Sequence, residues 1–303
     1  MQAGQRRAFF RPLRRRPLFS PAEAAERGSI KNLIRRRNMT PVRKVLVTGS
    51  SGLIAGLLFR GLSERYDFTG LDIKPLDHPT VPTIVGDLAV IEEVREASEG
   101  VDAVVHLGAA SDQYSSWESV LPNNLIATRN VFEACCDAGV KRVVFASSNH
   151  AVGMHELDDP YSRIREGTYE GLDSDNIPQI DHTVQIRPDG PYGISKAYGE
   201  ATGAYYAENF GLKVACLRIG TVNVGNRPMN PRDIATWCSH RDILQLIRLC
   251  LEIEPLQFDI FYGVSDNKWR FWDIDHARDV LGYAPQDNAE DYRELISAAQ
   301  KPS

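Results

Sequence analysis

The sequence predicts an α/β fold: a doubly wound parallel sheet with a small C-terminal substrate lobe. Three observations carry this. Short apolar segments alternate with amphipathic, helix-period segments over most of the chain. Val101–Leu107 is apolar on both faces, as strands buried between two helical layers are. A glycine-rich turn, Thr48-Gly-Ser-Ser-Gly-Leu-Ile-Ala55-Gly56, joins the first strand to the first helix. In order, Lys44–Thr48 reads as a strand, followed by an apolar-periodic run through Leu62. Phe68–Asp72 and Val81–Val85 follow as strands, then Asp87–Glu99 as a helix and Val101–Leu107 as the fourth strand. A long helix over Val120–Ala138, a strand at Arg142–Ala146, a helix over 191–210 and a sixth strand at Lys213–Arg218 complete the alternation. Two regions break it. Residues 154–190 carry Pro160, Gly167, Gly171, Pro178 and Pro188 without a clear period, a length that marks a functional loop or lid. Beyond residue 223 the reading is a helix near 240–252, a strand near 258–263 and helices near 274–282 and 288–299, where the parallel sheet has ended.

Hydrophobic residues make up 43% and charged residues 25%, the balance of a globular chain and not of a disordered one. No apolar run is long enough to span a bilayer, so a membrane role is not expected. The five cysteines are Cys135, Cys136, Cys216, Cys238 and Cys250. They contain no Cys-x-x-Cys, so neither a disulfide framework nor a metal site is expected, and a reduced, cytoplasmic setting is the simplest reading. The net charge of −5 is unevenly spread. Residues 1–38 hold eleven Lys/Arg against Glu23 and Glu26, while residues 39–303 hold 24 basic and 38 acidic residues. The basic head reads as a disordered arm, a transit peptide, or sequence preceding a start at Met39; the last is favoured. The acidic body argues against nucleic acid as a partner. The domain reading is therefore a head at 1–38, a dinucleotide-binding domain at 39–223 and a substrate lobe at 224–303.

Three motifs carry chemistry. In the loop Gly49-Ser-Ser51-Gly52-Leu53, small residues let the backbone approach a pyrophosphate seated at the helix N-terminus. Its Gly-x-x-Gly-x-x-Ala spacing departs from the commonest dinucleotide fingerprint; the plain alternative is a tight turn. Asp72 ends the second strand at the distance where a carboxylate accepts from the adenosine ribose, favouring NAD over NADP, though Lys74 weakens that preference. Asp87-Leu88 bounds the adenine or caps a helix. Phe145-Ala-Ser-Ser-Asn-His150 ends the fifth strand at the carboxyl edge, where ligands bind, and puts Ser148 where it can bond a substrate oxygen. Tyr192-Gly-Ile-Ser-Lys196 places a phenol and an ammonium four residues apart, on one helix face. A cation so placed stabilises a phenolate and makes a tyrosine usable as a general base; alone, the spacing is ordinary helix surface.

Together the Thr-Gly-x-x-Gly loop, Asp72, Asp87-Leu88, Ser148 and Tyr192-x-x-x-Lys196 resemble the extended short-chain dehydrogenase/reductase superfamily, a Rossmann-fold group, from about Val42 to Tyr292. His106-Leu-Gly-Ala-Ala-Ser111, Ala146–His150, Arg187-Pro-Asp-Gly-Pro-Tyr192, Arg218-Ile-Gly-Thr221 and Arg232–His240 are similar to uronate dehydrogenases. The resemblance implies NAD as cofactor, held by the glycine loop with Ser51 and Leu53, by Asp72, Asp87, Leu88 and Leu107, and by Tyr192 and Lys196. It implies oxidation of the C1 hydroxyl of a cyclic hexuronate to an aldonolactone. Tyr192 is then the base, Ser148 polarises the oxygen, and Ser111, Asn149, His150 and Thr221 meet the sugar. Arg232 grips the C6 carboxylate through its planar guanidinium. Asn123–Thr128, Phe261–Asn267, Leu281–Asn288 and the long 154–190 segment are closer to haloarchaeal NAD-dependent glucose-6-phosphate dehydrogenases. In that case Arg232, with Arg241, meets a phosphate. A nucleotide-sugar epimerase or dehydratase is a further alternative, for which the C-terminal lobe is short; a member that binds without chemistry is disfavoured by the intact Ser148, Tyr192 and Lys196. Relatives of this kind pair through the Tyr192 helix and the long helix before the fifth strand, so a homodimer is expected.

Overall fold

The computed structural model describes residues 42–299, except 77 and 79; the basic head lies outside the described residues. Seven parallel strands form one sheet: β1 (Lys44–Thr48), β2 (Asp67–Asp72), β3 (Thr83–Val85), β4 (Ala103–His106), β5 (Arg142–Ser148), β6 (Lys213–Ile219) and β7 (Phe258–Gly263). Their order is β3-β2-β1-β4-β5-β6-β7. The order reverses between β1 and β4, and at such a point the loops leaving the two strands part and open a crevice at their carboxyl ends. The sheet does not stop at the sixth strand, as the sequence suggested. Phe258–Gly263 pairs in register with Val214–Ile219, so the C-terminal segment extends the sheet before adding helices.

Helices cover both faces: α1 (Leu53–Leu62), α2 (Ile91–Ser98), α3 (Trp117–Val120), α4 (Ala127–Ala138), α5 (Tyr161–Glu166), α6 (Pro191–Phe210), α7 (Asp233–Thr236), α8 (His240–Glu252), α9 (Asp275–Leu281) and α10 (Arg293–Ala299). Alternation along each strand feeds two cores. Val45, Val47, Val105, Val144 and Leu217 face one side with Phe59, Ile243 and Leu246. Leu46, Val104, Val143 and Phe145 face the other with Val131, Phe132 and Tyr206. Every one of these side chains is almost fully buried, which is why the strands read as continuous apolar runs.

Two boundaries differ from the sequence reading for local reasons. Asp87 does not open a helix; its Oδ1 accepts from the Ala89 amide at 2.8 Å, an Asx turn that delays α2 to Ile91. The long helix is interrupted by a π-helical turn, Leu121–Ile126, between α3 and α4. There the Asn124 amide is engaged three ways: Oδ1 accepts from Ala110 N at 2.7 Å, and Nδ2 donates to Ala110 O at 3.2 Å and to Ser195 Oγ at 2.9 Å. A widened turn of this kind marks functional segments of helices. The 154–190 segment is tied down. Met154 N donates to Arg187 O at 2.9 Å, and Ile180 bridges to Trp272.

One buried ion pair joins the sheet to α6. Arg218 on β6 gives its Nε and Nη2 to the two oxygens of Glu200, each at 2.9 Å, and Ser147 Oγ donates to Glu200 Oε1 at 2.6 Å. All three residues are buried. Glu200→Ala leaves the Arg218 cation buried without its partner, a loss of about 3–5 kcal/mol. Urea unfolding of the variant is expected to show that drop, and an unchanged midpoint would contradict it.

Candidate active site

The site begins with backbone. Gly49 follows β1 with φ of 69°, and a Cβ there would stand 2.7 Å from Gly108 N, so only glycine lets the loops after β1 and β4 close on one another. Gly52 stands at the N-cap of α1 and provides no side-chain cap, which leaves the first amides of that helix open to an anionic ligand. Asp72 closes the loop from β2. Its Oδ2 accepts from Ser51 N and its Oδ1 from Lys74 N, both at 3.0 Å. Each oxygen keeps a further lone pair for a ribose hydroxyl. Leu88 reaches the same junction, its Cδ1 2.4 Å from where a Cβ on Gly108 would lie. Backbone close approach, an uncapped helix terminus and a carboxylate at the adjacent strand end together fit a dinucleotide.

A cleft runs from Gly49, Gly52 and Leu53 past Leu107 and Ser111 to Ser148, Tyr192 and Lys196. The last three come from two elements. Ser148 ends β5; Tyr192 and Lys196 lie one turn apart on α6, the helix that the sequence places over 191–210. Gly193 lets that helix touch the turn after β5, for a Cβ there would meet His150 O at 2.2 Å. Lys196 is buried, and its Nζ donates to Ala146 O at 2.7 Å. The ammonium lies 5.4 Å from the Tyr192 ring centre and 5.2 Å from that of Phe145. Burial pulls Lys196 down to about 8. Burial likewise pushes the Tyr192 phenol up to about 12, with the Ser148 hydrogen bond working against the rise and Asp189 adding to it. The spacing argument anticipates a lowered phenol. Desolvation sets the opposite direction here.

Around this pair the polar side chains are already partnered. Ser148 Oγ donates to Asn149 Oδ1 at 3.2 Å and accepts from His150 N at the same distance. His150 Nδ1 lies 2.6 Å from Asp189 Oδ2, and its ring meets Tyr192 edge-on at 5.8 Å. His106 bridges Thr48 Oγ1 at 2.7 Å and Thr128 Oγ1 at 3.1 Å; burial drives it down to about 3, so it stays neutral as a structural link. Thr221 Oγ1 pairs with Thr236 Oγ1 at 2.9 Å. Arg232, at the N-cap of α7, gives Nε and Nη2 to Glu156, both at 2.6 Å, while Arg165 Nε lies 3.6 Å from the same carboxylate. Arg241 stands elsewhere, with its fork on Asp287 and Gln286.

Sequence reasoning did not single out Asn124, Glu156 or Asp189. Asn124 and Asp189 sit inside motifs whose resemblance was noted, so a signal existed. Glu156 sits in an aperiodic acidic stretch that offers none. His182, Asp259 and His276 bring three donors within 4.8 Å, but the two imidazoles stack at 3.7 Å and 15°. In that pose their in-plane lone pairs do not converge on one ion.

The sequence profile described as the NAD dependent epimerase/dehydratase family matches residues 45–240. An NAD-dependent glucose-6-phosphate dehydrogenase of Haloferax volcanii is 37% identical over 256 residues, 82% of this chain and 95% of its own. A uronate dehydrogenase of Pseudomonas putida is 34% identical, over 87% of this chain and 91% of its own. Among solved structures, a mutant uronate dehydrogenase from Agrobacterium tumefaciens complexed with NAD superposes with a TM-score of 0.73 at 31% identity, over 86% of this chain and 91% of that one.

The buried ammonium has a thermodynamic signature. Its folded pKa lies below the unfolded value, so the unfolded chain binds more protons between about 8 and 10.5, and stability rises with pH across that window. Lys196→Met is therefore expected to raise the melting temperature of the ligand-free protein at pH 7, with the advantage fading between pH 8 and 10.5. Melting curves across that range check it; a variant uniformly less stable would show that the buried charge is not penalised.

Proposed function

Because the chain belongs to the NAD-dependent epimerase/dehydratase family, we propose that it oxidises the C1 hydroxyl of a cyclic hexuronate to the aldonolactone, with NAD as cofactor. What supports this reading is the convergence of Ser148, Tyr192 and Lys196 at the end of β5, in the cleft that also holds the glycine loop. NAD, when bound, accepts the hydride that leaves C1. The residues that would hold it are Gly49, Ser51, Gly52 and Leu53 at the pyrophosphate, and Asp72 at the adenosine ribose. Asp87, Leu88 and Leu107 would flank it, and Lys196 would reach the nicotinamide ribose. Tyr192 takes the hydroxyl proton as charge builds on the sugar oxygen, and Ser148 steadies the same oxygen through its hydroxyl. To act as base Tyr192 enters this step as the phenolate, a form that the Lys196 ammonium, 5.4 Å from its ring centre, favours, and it leaves the step as the neutral phenol. Ser111, Asn149, His150 and Thr221 stand around the sugar, and Arg232 is the cation for the acid group at C6.

A second reading changes only that acid group, to the phosphate of glucose 6-phosphate. It is favoured by Arg165, which stands beside the Arg232–Glu156 pair, since a dianion is met well by two guanidinium groups. It also draws on the 37% identity to the Haloferax enzyme. The exposed Ile194, Tyr205 and Phe210 on α6 and Ile126 ahead of α4 support a homodimer through those helices.

NAD reduction assayed with galacturonate, glucuronate and glucose 6-phosphate separates the readings. Turnover of a uronate alone supports the first, of the phosphate alone the second; background rates with all three reject both. With the active sugar, Tyr192→Phe is expected to lower kcat by at least about a hundredfold while NAD affinity stays within about twofold. Retained turnover would remove Tyr192 as the base.

A further inference from the structure

One carboxylate joins the two ends of the sugar site. Glu156 is only 3% exposed, and both of its oxygens are occupied. Oε1 accepts from Asn149 Nδ2 at 3.1 Å and from Arg232 Nη2 at 2.6 Å; Oε2 accepts from Arg232 Nε at 2.6 Å. A carboxylate can take only the NH₂ end of an amide. That turns Asn149 so its Oδ1 faces Ser148 Oγ, 3.2 Å away. On the other side, Glu156 takes the Nε/Nη2 edge of the guanidinium. Of the five donors of Arg232, the end-on Nη1/Nη2 edge stays available to a ligand, in a plane fixed by the bidentate pair.

Ser148, Asn149, Glu156 and Arg232 thus form one connected series from the C1 chemistry to the cation at the far end. We propose that Glu156 is a positioning residue: it aligns Arg232 for the distal acid and the Asn149–Ser148 pair for C1, and it moderates the positive charge that attracts that acid. The proposal rests on the reading that the substrate carries an acid group at C6. It separates two effects. Glu156, which pairs with Arg232 and has Arg165 Nε 3.6 Å away, competes with the substrate acid for guanidinium charge, so neutralising Glu156 tightens the acid's hold. The same change releases the Arg232 plane and the Asn149 amide, so the bound sugar is less well aligned.

The test compares Glu156→Gln with wild type on galacturonate and on galactose, which differ in the acid and share the C1 hydroxyl; galactose serves as substrate or as competitive inhibitor. For galacturonate, KM is expected to fall about tenfold and kcat also about tenfold, while KM or Ki for galactose moves less than about twofold. Glucose 6-phosphate replaces galacturonate, with the same expected split, if the phosphate proves to be the substrate. Glu156→Asp keeps the charge but shortens the reach, so kcat falls and KM for the acid sugar stays within about twofold of wild type. An acid-sugar KM that is unchanged or raised in Glu156→Gln, or that moves equally for galactose, overturns the proposal, because a packing defect alone gives that pattern. If the wild type turns over no acid sugar, the substrate reading fails and this role fails with it. If it does and the split is absent, only the role of Glu156 falls.

Discussion

A buried ammonium sets the terms for this site. Lys196 lies inside the protein with Ala146 O as its hydrogen-bond acceptor and two aromatic rings near it. Removing an ammonium from water is costly, and the drop in its pKa to about 8 records that cost. The architecture around it is what makes the position tenable. β5 brings the Ala146 carbonyl, α6 brings the lysine one turn after Tyr192, and the Glu200–Arg218 pair locks α6 onto β6. The same burial that lowers the lysine raises the Tyr192 phenol beside it.

The polar side chains beside the cleft are likewise held by partners. Nearly every polar side chain near the cleft already has a bond: His150 to Asp189, Thr221 to Thr236, Arg232 to Glu156. Such a site is stiff, because each donor is aimed before the ligand arrives. On the proposed function, selectivity at the acid end depends on how the charges of Arg232, Arg165 and Glu156 are shared, and less on whether an arginine is present.

Much of this was legible in the sequence because it depends on local rules. The glycine loop announced itself by residue type at a strand–helix junction, and α6 appeared at 191–210 from its period and its Tyr/Lys spacing. The seventh strand was seen as a strand but not as part of the sheet, since pairing across an intervening helix leaves no local mark. The π-helical turn was hidden because Asn124 acts through Ala110 and Ser195, residues distant in sequence. Glu156 was hidden for a related reason. An acid among many acids shows its purpose only when folding places an arginine 76 residues later against it. The direction of the Tyr192 shift was also beyond sequence: spacing reports the neighbouring cation but not the depth of burial.

On the proposed function, hydride leaves C1 of the sugar while Tyr192 takes the hydroxyl proton. Galacturonate, or whichever acid sugar is turned over, carrying deuterium at C1 tests this directly. The account predicts one deuterium in the reduced NAD, none at C1 of the lactone, and a slower single-turnover rate than with unlabelled sugar. Deuterium retained in the sugar, with no label in the reduced cofactor, would contradict it.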